Sequence, residues 1–523
     1  MTRPAAILVA GAGPAGLALA LQAHDHGGEV RVIERRPEPF RPSRALILHA
    51  RTLEVLRPLG VTEALLARAD TAPEVSLRLG RRTARVRLGD LELPDTAFPH
   101  PSLVRQADVE EVLAQALAGR GVTVERGVEL AGIRDDGAGV QAAWRSGAAA
   151  GAGRFDFVAG CDGPASTVRA QAGIGWPGRP YPVEVVLADA ELDLSGDLAG
   201  DLSGGAAQVA AGRRGLCFAF PLGEQASWRL LATRPAGPPE LPFGQPGPPV
   251  PAAELQQLMD QAGLPARLTR LAWSARVQIQ HRVAERFRSG RLFLVGDAAH
   301  AYSPATGQGM NAAIQDAANL GWKLALGPAG AASEALLDSY ERERRPVARQ
   351  VLALTHLAFW GEAATGRLPS LLRGLAPLAA PAVPALTSRR RLIAAGYRRL
   401  ALLDVSYRGS PLSVDPAAPR GGRPRAGDWP RAGDRLPDMT VTCGGRRIRL
   451  HELLARPGVH VLLERDADPP PGTPPGPLVA VHRLTSVPGR GLLAVRPDGY
   501  IGLRCPDSAT GPLLAWLALA GAS

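Results

Sequence analysis

The sequence predicts an α/β fold in which a first domain is interrupted by a β-sheet domain and followed by a small C-terminal α/β unit. A strand–helix–strand pattern opens the chain, which is typical of a parallel sheet covered by helices. The sequence pattern changes between about residues 177 and 276, where short apolar segments alternate with Pro- and Gly-rich loops. A length of 523 residues is also long for one hydrophobic core and favours several domains.

The first βαβ unit follows from local patterns. Ala6–Ala10 is a continuous apolar run, as expected for a strand that is covered on both faces of a parallel sheet. Good helix formers at residues 17–21 come next, after a glycine-containing turn. Gly27 and Gly28 then fit a helix C-cap before a second predicted strand at residues 30–33.

The rest of the chain continues the alternation of helices and strands. Amphipathic helices are predicted at residues 52–59 and 108–117, and long helices at 309–326 and 333–358. Short strands are predicted at residues 155–159, 185–192, 215–220, 292–295, 459–463, 492–495 and 500–503, with a loop at 234–251.

These patterns predict the following division of the chain. The first domain comprises residues 1–175, with a sheet-domain segment at about 74–102, and 276–400; the inserted sheet domain comprises 176–275; a linker covers 401–436, and the C-terminal domain 437–523. The linker is placed where Arg, Gly and Pro dominate, because this composition favours an open chain.

Composition excludes several function classes. Hydrophobic residues make up 46% and charged residues 21%, which is ordinary for a soluble globular protein and excludes wholesale disorder. The net charge is +11, and 59 of the 60 basic residues are arginine, with Lys323 as the one lysine. These cations are dispersed rather than clustered on one element, so we expect no nucleic-acid partner. The positive field still suits anionic cofactors and substrates.

Cysteine spacing and hydropathy give further exclusions. The four cysteines, Cys161, Cys217, Cys443 and Cys505, form no CxxC pair, so no metal site or redox dithiol is predicted. The chain opens directly on an apolar strand without a signal-peptide pattern. The apolar segments 351–360 and 371–386 are too short or too rich in proline to span a bilayer. We therefore expect a cytoplasmic protein without membrane contact.

A GxGxxG turn lies between the first strand and the first helix. Gly11 allows the tight turn, Gly13 lets the backbone approach a pyrophosphate, and Gly16 lets helix and strand pack closely. The free N–H groups of the helix N-terminus favour phosphate. Glu34 ends the second strand, where a carboxylate can accept hydrogen bonds from a ribose hydroxyl. The motif therefore predicts a dinucleotide-binding site rather than a glycine turn that binds no ligand. The motif alone does not identify which dinucleotide binds.

Two more turns follow predicted strands. Asp162 lies in an Asp-Gly turn within residues 160–169, and Asp297 lies in a Gly-Asp turn that leads into residues 303–311. Each alone is an ordinary turn. Three such turns in order, each at a strand end, indicate one composite site. His300, just after the Gly-Asp turn, is interpreted as a packed structural histidine rather than a base.

With these turns the sequence resembles the class A flavoprotein monooxygenases, the family of para-hydroxybenzoate hydroxylase. It is most similar to its aromatic-polyketide hydroxylases and rifampicin monooxygenase. Residues 43–54 and the helix led by Gln106 look like segments of that subgroup. The resemblance implies a GR2-type Rossmann-like FAD domain, an inserted mixed β-sheet substrate domain and a thioredoxin-like C-terminal domain without working cysteines.

The resemblance also implies which residues hold FAD. Those expected at its ADP half are Gly11, Gly13, Pro14, Ala15, Gly16, Glu34 and Arg35. Those expected along the isoalloxazine are Pro304, Gly307, Gln308, Gly309, Met310 and Asn311. Asp297 would bind the ribityl or pyrophosphate region, and Asp162 would support the phosphate side and the nicotinamide approach. Gln106 would contact the cofactor, although Arg105 stands where the subgroup often has proline.

The implied reaction is hydroxylation of a polycyclic aromatic, polyketide-type natural product. NADPH or NADH, a transient co-substrate, would reduce FAD, and O2 would add to give a C4a-hydroperoxide that delivers one oxygen atom. Arg44 and Pro304 would position the flavin, with no side chain assigned as acid or base. Arg44→Ala is expected to slow reduction by NADPH while FAD stays bound. The chain would act as a monomer or homodimer.

Two alternatives stay open at this point. The same scaffold could carry a Baeyer–Villiger or epoxidising monooxygenase, because the polarity of the pocket decides how the activated oxygen attacks. In a different class, the protein could sequester a ligand in a flavin-dependent way without turnover.

Overall fold

The computed structural model describes residues 3–39, 46–79, 82–89, 91–193, 206–211, 216–222, 227–237, 247–326, 334–363, 389–416, 430–468, 478–506 and 510–522. Its strands are β1 Ala6–Ala10, β2 Glu29–Glu34, β3 Ile47–Leu48, β4 Glu74–Leu79, β5 Arg82–Arg87, β6 Ser102–Leu103, β7 Val124–Arg126, β8 Val128–Asp135, β9 Val140–Ser146, β10 Ala149–Phe155, β11 Phe157–Gly160, β12 Gly178–Asp193, β13 Ala207–Ala211, β14 Leu216–Pro221, β15 Trp228–Pro235, β16 Arg267–Val283, β17 Arg288–Ser289, β18 Leu292–Leu294, β19 His300–Ala301, β20 Thr440–Cys443, β21 Arg446–Arg449, β22 Val459–Glu464, β23 Val479–Leu484, β24 Leu492–Val495 and β25 Ile501–Cys505.

The α-helices in the same residues are α1 Pro14–Asp25, α2 Ala50–Leu56, α3 Thr62–Leu66, α4 Gln106–Ala118, α5 Thr167–Gln171, α6 Ala252–Ala262, α7 Gln308–Leu326, α8 Glu334–Ala363, α9 Arg390–Leu400, α10 Leu450–Leu453 and α11 Thr510–Leu519. Three short 3-10 turns occur at Arg57–Leu59, Gly296–Ala298 and Pro304–Thr306. Within this described part, every helix is too short or too polar to cross a bilayer.

The first domain is built on a six-stranded sheet with the order β17-β18-β11-β1-β2-β7. All neighbouring pairs from β18 to β7 are parallel, and only the edge strand β17 runs antiparallel. Ile7, Leu8 and Val9 are fully buried because both faces of the central strand β1 are covered, and α1 packs against α7. This confirms the predicted α/β fold. The carboxyl ends of β1, β11 and β18 meet at one edge of the sheet.

A three-stranded antiparallel sheet, β8 to β10, precedes β11. It divides the strand predicted at residues 155–159, since Phe155 ends β10 and β11 begins at Phe157. The carboxylate of Asp156 between them accepts hydrogen bonds from the backbone N–H of Ala6 at 2.7 Å and from Arg3 at 3.0 Å. These hydrogen bonds hold the bend between β10 and β11 against the start of β1.

The sheet domain contains eight strands in the order β19-β16-β12-β15-β14-β13-β4-β5. The long strands β12 and β16 pair antiparallel, and α6 covers one face of the sheet with Leu255 and Met259 in the core. The other face carries Tyr181, Val183 and Ile279. β19 pairs with the end of β16 and brings this sheet beside the Gly-Asp turn. Of the predicted segment at 74–102, only β4 and β5 join the sheet.

The C-terminal sheet has the order β21-β20-β23-β22-β24-β25, with β22 and β23 parallel and the other pairs antiparallel. The described ends of the predicted linker pack onto it. Leu412 and Leu436 are fully buried, and Val414 and Arg435 bridge to the strand β25 and to Tyr500. These ends are not an open chain, because each supplies apolar side chains to the C-terminal core. Residues 417–429 lie outside the described residues.

The helix predicted as amphipathic at residues 52–59 is the α2 helix with a 3-10 turn, and α2 is buried on all sides. The amphipathic interpretation is wrong because both charged residues of α2 are paired inside the protein. Arg51 donates to Glu54 at 3.0 Å, and Arg435 beside the C-terminal sheet donates to Glu54 at 2.6 and 2.8 Å. The charged side chains of this helix therefore contact the C-terminal domain.

His26 caps the end of α1 and contacts the C-terminal domain. Its Nδ1 lies 2.6 Å from the Gln22 carbonyl oxygen, and its Nε2 accepts a hydrogen bond from the Gly458 N–H at 3.1 Å. This pairing requires a neutral ring with the proton on Nδ1. Burial lowers the pKa of His26 to about 4. Protonation of Nε2 would break the contact with Gly458.

We expect His26 to make the protein sensitive to mild acid. Its folded pKa of about 4 lies below the ordinary value of 6.5, so the unfolded chain takes up a proton that the folded chain refuses. The neutral His26 ring therefore contributes its full share to the free energy of unfolding above pH 6.5. This share is lost as the pH falls to about 4, which lowers the free energy of unfolding by about 3 kcal/mol. Urea unfolding between pH 7 and 4 should show a shallower loss for His26→Gln. His24→Gln, on the same turn, should keep the wild-type slope.

Candidate active site

The three predicted turns lie side by side at the carboxyl edge of the first sheet. The Cys161 N–H donates to the Ala10 carbonyl at 2.8 Å, and the Val295 N–H donates to the Gly160 carbonyl at 3.0 Å. The backbones then approach so closely that side chains are excluded. A Cβ on Gly11, at φ +104°, would lie 2.3 Å from the Cys161 carbonyl oxygen. These glycines hold strand, turn and helix in one compact edge.

The three glycines of the first turn differ in what surrounds them. A Cβ on Gly16 would lie 1.9 Å from the Gly11 carbonyl oxygen, so Gly16 serves helix–strand packing. A Cβ on Gly13 would meet no protein atom within 4 Å, and its φ of −75° suits any residue. Open space therefore lies in front of Gly13, where α1 begins with Pro14 and Ala15. The free N–H groups of a helix N-terminus point into such a space and attract phosphate.

Glu34 lies at the end of β2, directly beside this turn. It is buried and accepts hydrogen bonds from the N–H of Ala12 at 2.9 Å and from Arg36 at 3.0 Å. Burial alone would raise the pKa of Glu34, but the bonds from Arg36 and Ala12 outweigh it and lower this pKa. The carboxylate stays ionised and can accept a ribose hydroxyl. Arg35 is exposed, so the ion pair of Glu34 is formed by Arg36.

Asp162 lies in the Asp-Gly turn, five residues before α5 begins at Thr167. One carboxylate oxygen accepts the Val168 N–H at 3.1 Å, and the other is buried without a hydrogen-bond partner among the described residues. Burial raises the pKa of Asp162 above its ordinary value. The second oxygen is thus available to a ligand group that enters the cleft.

Arg169 connects the Asp-Gly turn to the Gly-Asp turn. Its guanidinium donates to the Pro164 carbonyl at 2.7 Å and to the Ala298 carbonyl at 2.8 Å, and it lies 3.8 Å over the ring of Trp176. The sequence pattern gives Arg169 no distinct role, because it is one of 59 arginines. Its one signal is its place seven residues after Asp162, in the same segment.

We expect Arg169→Lys to weaken FAD binding about tenfold. A lysine keeps the charge but cannot donate to both carbonyls, and a hydrogen bond of a charged donor contributes about 1.5–3 kcal/mol. Flavin fluorescence titration of the apoprotein measures this change. The matched control is Arg291→Lys, since Arg291 also donates to backbone carbonyls but lies outside the turns. Equal FAD affinity in the two variants would contradict the role of Arg169.

The segment after the Gly-Asp turn leads into α7. Asp297 is exposed on the 3-10 turn, Pro304 is exposed, and Met310 is buried in the first turn of α7. The Asn311 amide accepts the His49 N–H at 2.8 Å and donates to the Ile47 carbonyl at 2.8 Å. Asn311 therefore fixes the segment around β3 to the start of the helix.

The neighbouring positions keep this helix start open. A Cβ on Gly309 would meet nothing within 4 Å, whereas one on Gly307, at φ +62°, would lie 3.3 Å from Ile47. Gln308 is buried, and its Nε2 donates to the Leu400 carbonyl at the end of α9. The N-terminus of α7 is thus fixed by α9 and faces open space at Gly309.

Several buried polar atoms in these segments have no partner among the described residues. They include Asp162 Oδ1 in the Asp-Gly turn, and Thr306 Oγ1 and Gln308 Oε1 at the start of α7. Leaving a buried polar atom unpaired costs about 1–3 kcal/mol. Such atoms, with the open space at Gly13 and Gly309, fit a ligand that is polar along its edges and carries phosphate.

His300 supports the site from below rather than facing it. Its Nε2 lies 2.6 Å from the carboxylate of Asp316, whose other oxygen accepts from Arg344 at 2.6 Å. Asp316 also accepts the Gly296 N–H at 3.3 Å. All three side chains are fully buried. The network fixes the Gly-Asp turn to α7 and α8, as expected for a packed structural histidine.

The remaining predicted residues take separate positions. Gln106 begins α4 and donates to the Glu110 carboxylate at 2.8 Å, while Arg105 forms a bidentate pair with Asp108 at 2.6 and 2.7 Å. Arg44 lies outside the described residues, so its role in moving the flavin stays a prediction.

Comparison with known proteins identifies the family. Residues 4–355 match the FAD binding domain family. The 6-methylpretetramide 4-monooxygenase of Streptomyces rimosus is 32% identical, over 98% of this chain and 92% of the relative. The chain belongs to the class A FAD-dependent monooxygenases. This monooxygenase also shares its fold with the anhydrotetracycline hydroxylase of Streptomyces rimosus, with a TM-score of 0.77, 30% identity and 99% of both chains covered.

A second solved relative contains both ligands of such a site. The aklavinone-11 hydroxylase, in a ternary complex with FAD and aklavinone, matches this chain with a TM-score of 0.75 and 26% identity. It covers 99% of this chain, and 98% of that chain is matched. The family assignment makes FAD the cofactor, and the open space at the N-terminus of α1 beside Gly13 has room for its pyrophosphate. The predicted fold class and flavoprotein monooxygenase activity are confirmed.

Proposed function

We propose that this monooxygenase hydroxylates a polycyclic phenolic compound and consumes NADPH or NADH and O2. The observation that carries the proposal is the junction of the three turns, where an open phosphate cradle at Gly13 and the open helix start at Gly309 face one cleft. The substrate class is supported by relatives that match over almost the whole chain, namely the 6-methylpretetramide 4-monooxygenase, the anhydrotetracycline hydroxylase and the aklavinone-11 hydroxylase.

The site would bind FAD in an extended form along the carboxyl edge of the first sheet. Gly13 and the N-terminus of α1 would receive the pyrophosphate, and Glu34 would accept a ribose hydroxyl. Asp162 and Asp297 would bind the middle of the cofactor. Gly309 and the start of α7 would lie along the isoalloxazine. When bound, FAD takes electrons from a reduced nicotinamide and activates O2 for insertion into an aromatic ring.

The protein supplies position, charge and a dry cavity. The positive end of the 19-residue helix α7 favours negative charge at the flavin edge beside it. The apolar face of the sheet domain, with Val183, Val185 and Ile279, suits a flat aromatic polycycle and excludes water from it. The sequence contains one GxGxxG turn, so the reduced nicotinamide would bind transiently without a domain of its own.

The test is product analysis with labelled oxygen. Purified protein is loaded with FAD, and NADPH oxidation is measured with anhydrotetracycline and aklavinone under ¹⁸O2. We expect a probe to accelerate NADPH oxidation and to gain one labelled oxygen as a phenol or alcohol. A labelled lactone or epoxide would favour the Baeyer–Villiger or epoxidising alternative. Ligand binding without any NADPH oxidation would contradict the proposal and favour the sequestering protein.

A further inference from the structure

Three consecutive arginines line an open cleft at the start of α9. The cleft has a volume of about 540 Å³ and is bordered by Glu92, Arg389, Arg390, Arg391 and Leu392. All of these residues are exposed, and Leu392 retains 53% of its surface. We call the three arginines the α9 arginine cluster. None of the roles assigned above uses it.

The charge of the α9 arginine cluster is not neutralised inside the protein. Among the described residues, no carboxylate forms an ion pair with its three guanidiniums, whereas Arg398 on the same helix pairs with Asp95. Glu92 brings one carboxylate to the cleft, so three cations and one anion leave a net charge of two positive units. The cleft therefore favours an anion that arrives from solution.

The backbone of the same turn adds to this preference. α9 begins at Arg390, and Arg389 at its N-cap makes no side-chain capping hydrogen bond. The first N–H groups of a helix carry partial positive charge and attract phosphate. Guanidinium groups bind phosphate oxygens through paired hydrogen bonds and stack on flat rings. The cleft thus suits a phosphorylated nucleotide, whose base can pack on the exposed side chain of Leu392.

The other end of α9 lies at the proposed flavin site. The Leu400 carbonyl accepts a hydrogen bond from Gln308 at the start of α7. One turn earlier, the Tyr397 hydroxyl accepts the Ala50 N–H at 3.1 Å. Because a helix rises about 1.5 Å per residue, Arg390 lies about 15 Å from Leu400. An extended nicotinamide dinucleotide has a comparable length, with the nicotinamide near one end and the adenosine 2′ position near the other.

We propose that the α9 arginine cluster binds the adenosine 2′-phosphate of NADPH and makes the enzyme prefer NADPH to NADH. This inference rests on the proposed function, because it places the nicotinamide at the flavin beside the start of α7. A phosphate monoester carries a charge of about −1.5 to −2 at pH 7, which matches the charge of the cleft. Glu92 can accept the neighbouring ribose hydroxyl. NADH has a hydroxyl group in place of this phosphate, so the guanidiniums add little to its binding.

The test removes two of the three arginines with the double variant Arg390→Gln and Arg391→Gln. Glutamine is about as good a helix former as arginine, so α9 should stay folded. We expect the FAD-loaded double variant to bind 2′,5′-ADP, the fragment of NADPH that carries the 2′-phosphate, about tenfold more weakly by calorimetry. The NADPH concentration that gives half-maximal FAD reduction without O2 should rise by the same factor. The corresponding NADH concentration should not change.

The matched control is a second double variant, Arg134→Gln with Arg145→Gln. Both arginines are exposed on the three-stranded sheet, so this variant loses the same two charges at a different place. It should keep the wild-type affinity for 2′,5′-ADP and the wild-type preference for NADPH. The comparison separates direct contact with the phosphate from a general effect of net charge.

Three outcomes decide between the inference and the proposed function. Equal affinity for 2′,5′-ADP in the wild type and in the double variant of α9 would overturn the inference. Binding of 2′,5′-ADP that does not compete with NADPH during FAD reduction would also overturn it, because the cluster would then serve a different phosphate compound. A wild type with the arginine-dependent preference for NADPH that hydroxylates neither anhydrotetracycline nor aklavinone would overturn the proposed hydroxylation alone.

Discussion

Gly13→Ala is expected to weaken FAD binding about 10- to 100-fold while the free energy of unfolding of the apoprotein stays unchanged. The new methyl group would meet no protein atom within 4 Å, and the backbone at Gly13 accepts alanine without strain. It would occupy the space through which the backbone approaches the pyrophosphate. Inserting a methyl group into a packed contact costs about 1–3 kcal/mol, which corresponds to this loss of affinity.

Gly16→Ala is the matched control, three residues further along the same turn. Its methyl group would lie 1.9 Å from the Gly11 carbonyl oxygen, so it must push α1 away from the sheet. We expect it to lower the free energy of unfolding of the apoprotein by at least about 1–3 kcal/mol. Urea unfolding without FAD and flavin fluorescence titration distinguish the two variants. Wild-type FAD affinity in Gly13→Ala would show that the pyrophosphate binds elsewhere.

The parts of the fold that the sequence predicts well are those set by local constraints. β1 needs apolar residues on both faces, and Gly11 needs a positive φ, so each leaves a pattern within a few residues. The strands that precede the two Asp-containing turns are recognised in the same way. The junction of the three turns then follows from topology, because parallel strands place their carboxyl ends at one edge.

The parts that the sequence does not predict depend on partners far along the chain. The charged residues of α2 indicate an exposed face until Arg435, 381 positions after Glu54, is known to pair with it. Arg169 is likewise defined by its hydrogen bond to the Ala298 carbonyl, 129 positions further along the chain. One signal was available: in a chain with 59 arginines, the single lysine indicates a site that needs a compact ammonium rather than a planar guanidinium.

Lys323 belongs to a buried ionic cluster that joins α7, α8 and the C-terminal domain. The Glu343 carboxylate accepts from Lys323 at 2.7 Å, from Arg496 at 2.6 and 2.8 Å, and from Asn319 at 2.6 Å. Arg496 also donates to Asp498 at 2.6 Å. All of these side chains are almost completely buried. Two cations and two carboxylates thus neutralise each other where three elements meet.

Arg496→Ala is expected to lower the free energy of unfolding by about 3–5 kcal/mol, because it leaves a buried carboxylate uncompensated. This is a large part of the stability of a typical domain. Since Lys323 lies on α7, whose first turn borders the FAD cleft, the variant should also retain less FAD after purification. Urea unfolding of the holoprotein and the flavin absorbance per chain measure both effects.

Two further variants decide whether the loss comes from the unpaired charge. Arg465→Ala removes an exposed arginine whose one ion pair among the described residues is with its neighbour Asp466, and it should behave like the wild type. The double variant Glu343→Gln with Arg496→Met removes one charge of each sign, so it should recover part of the stability that Arg496→Ala loses. If the double variant is less stable than Arg496→Ala, specific hydrogen bonds rather than charge balance hold the C-terminal domain against the FAD domain. In that case the hydrogen bonds of the Arg496 guanidinium, and not its charge, stabilise the contact with α7 and α8.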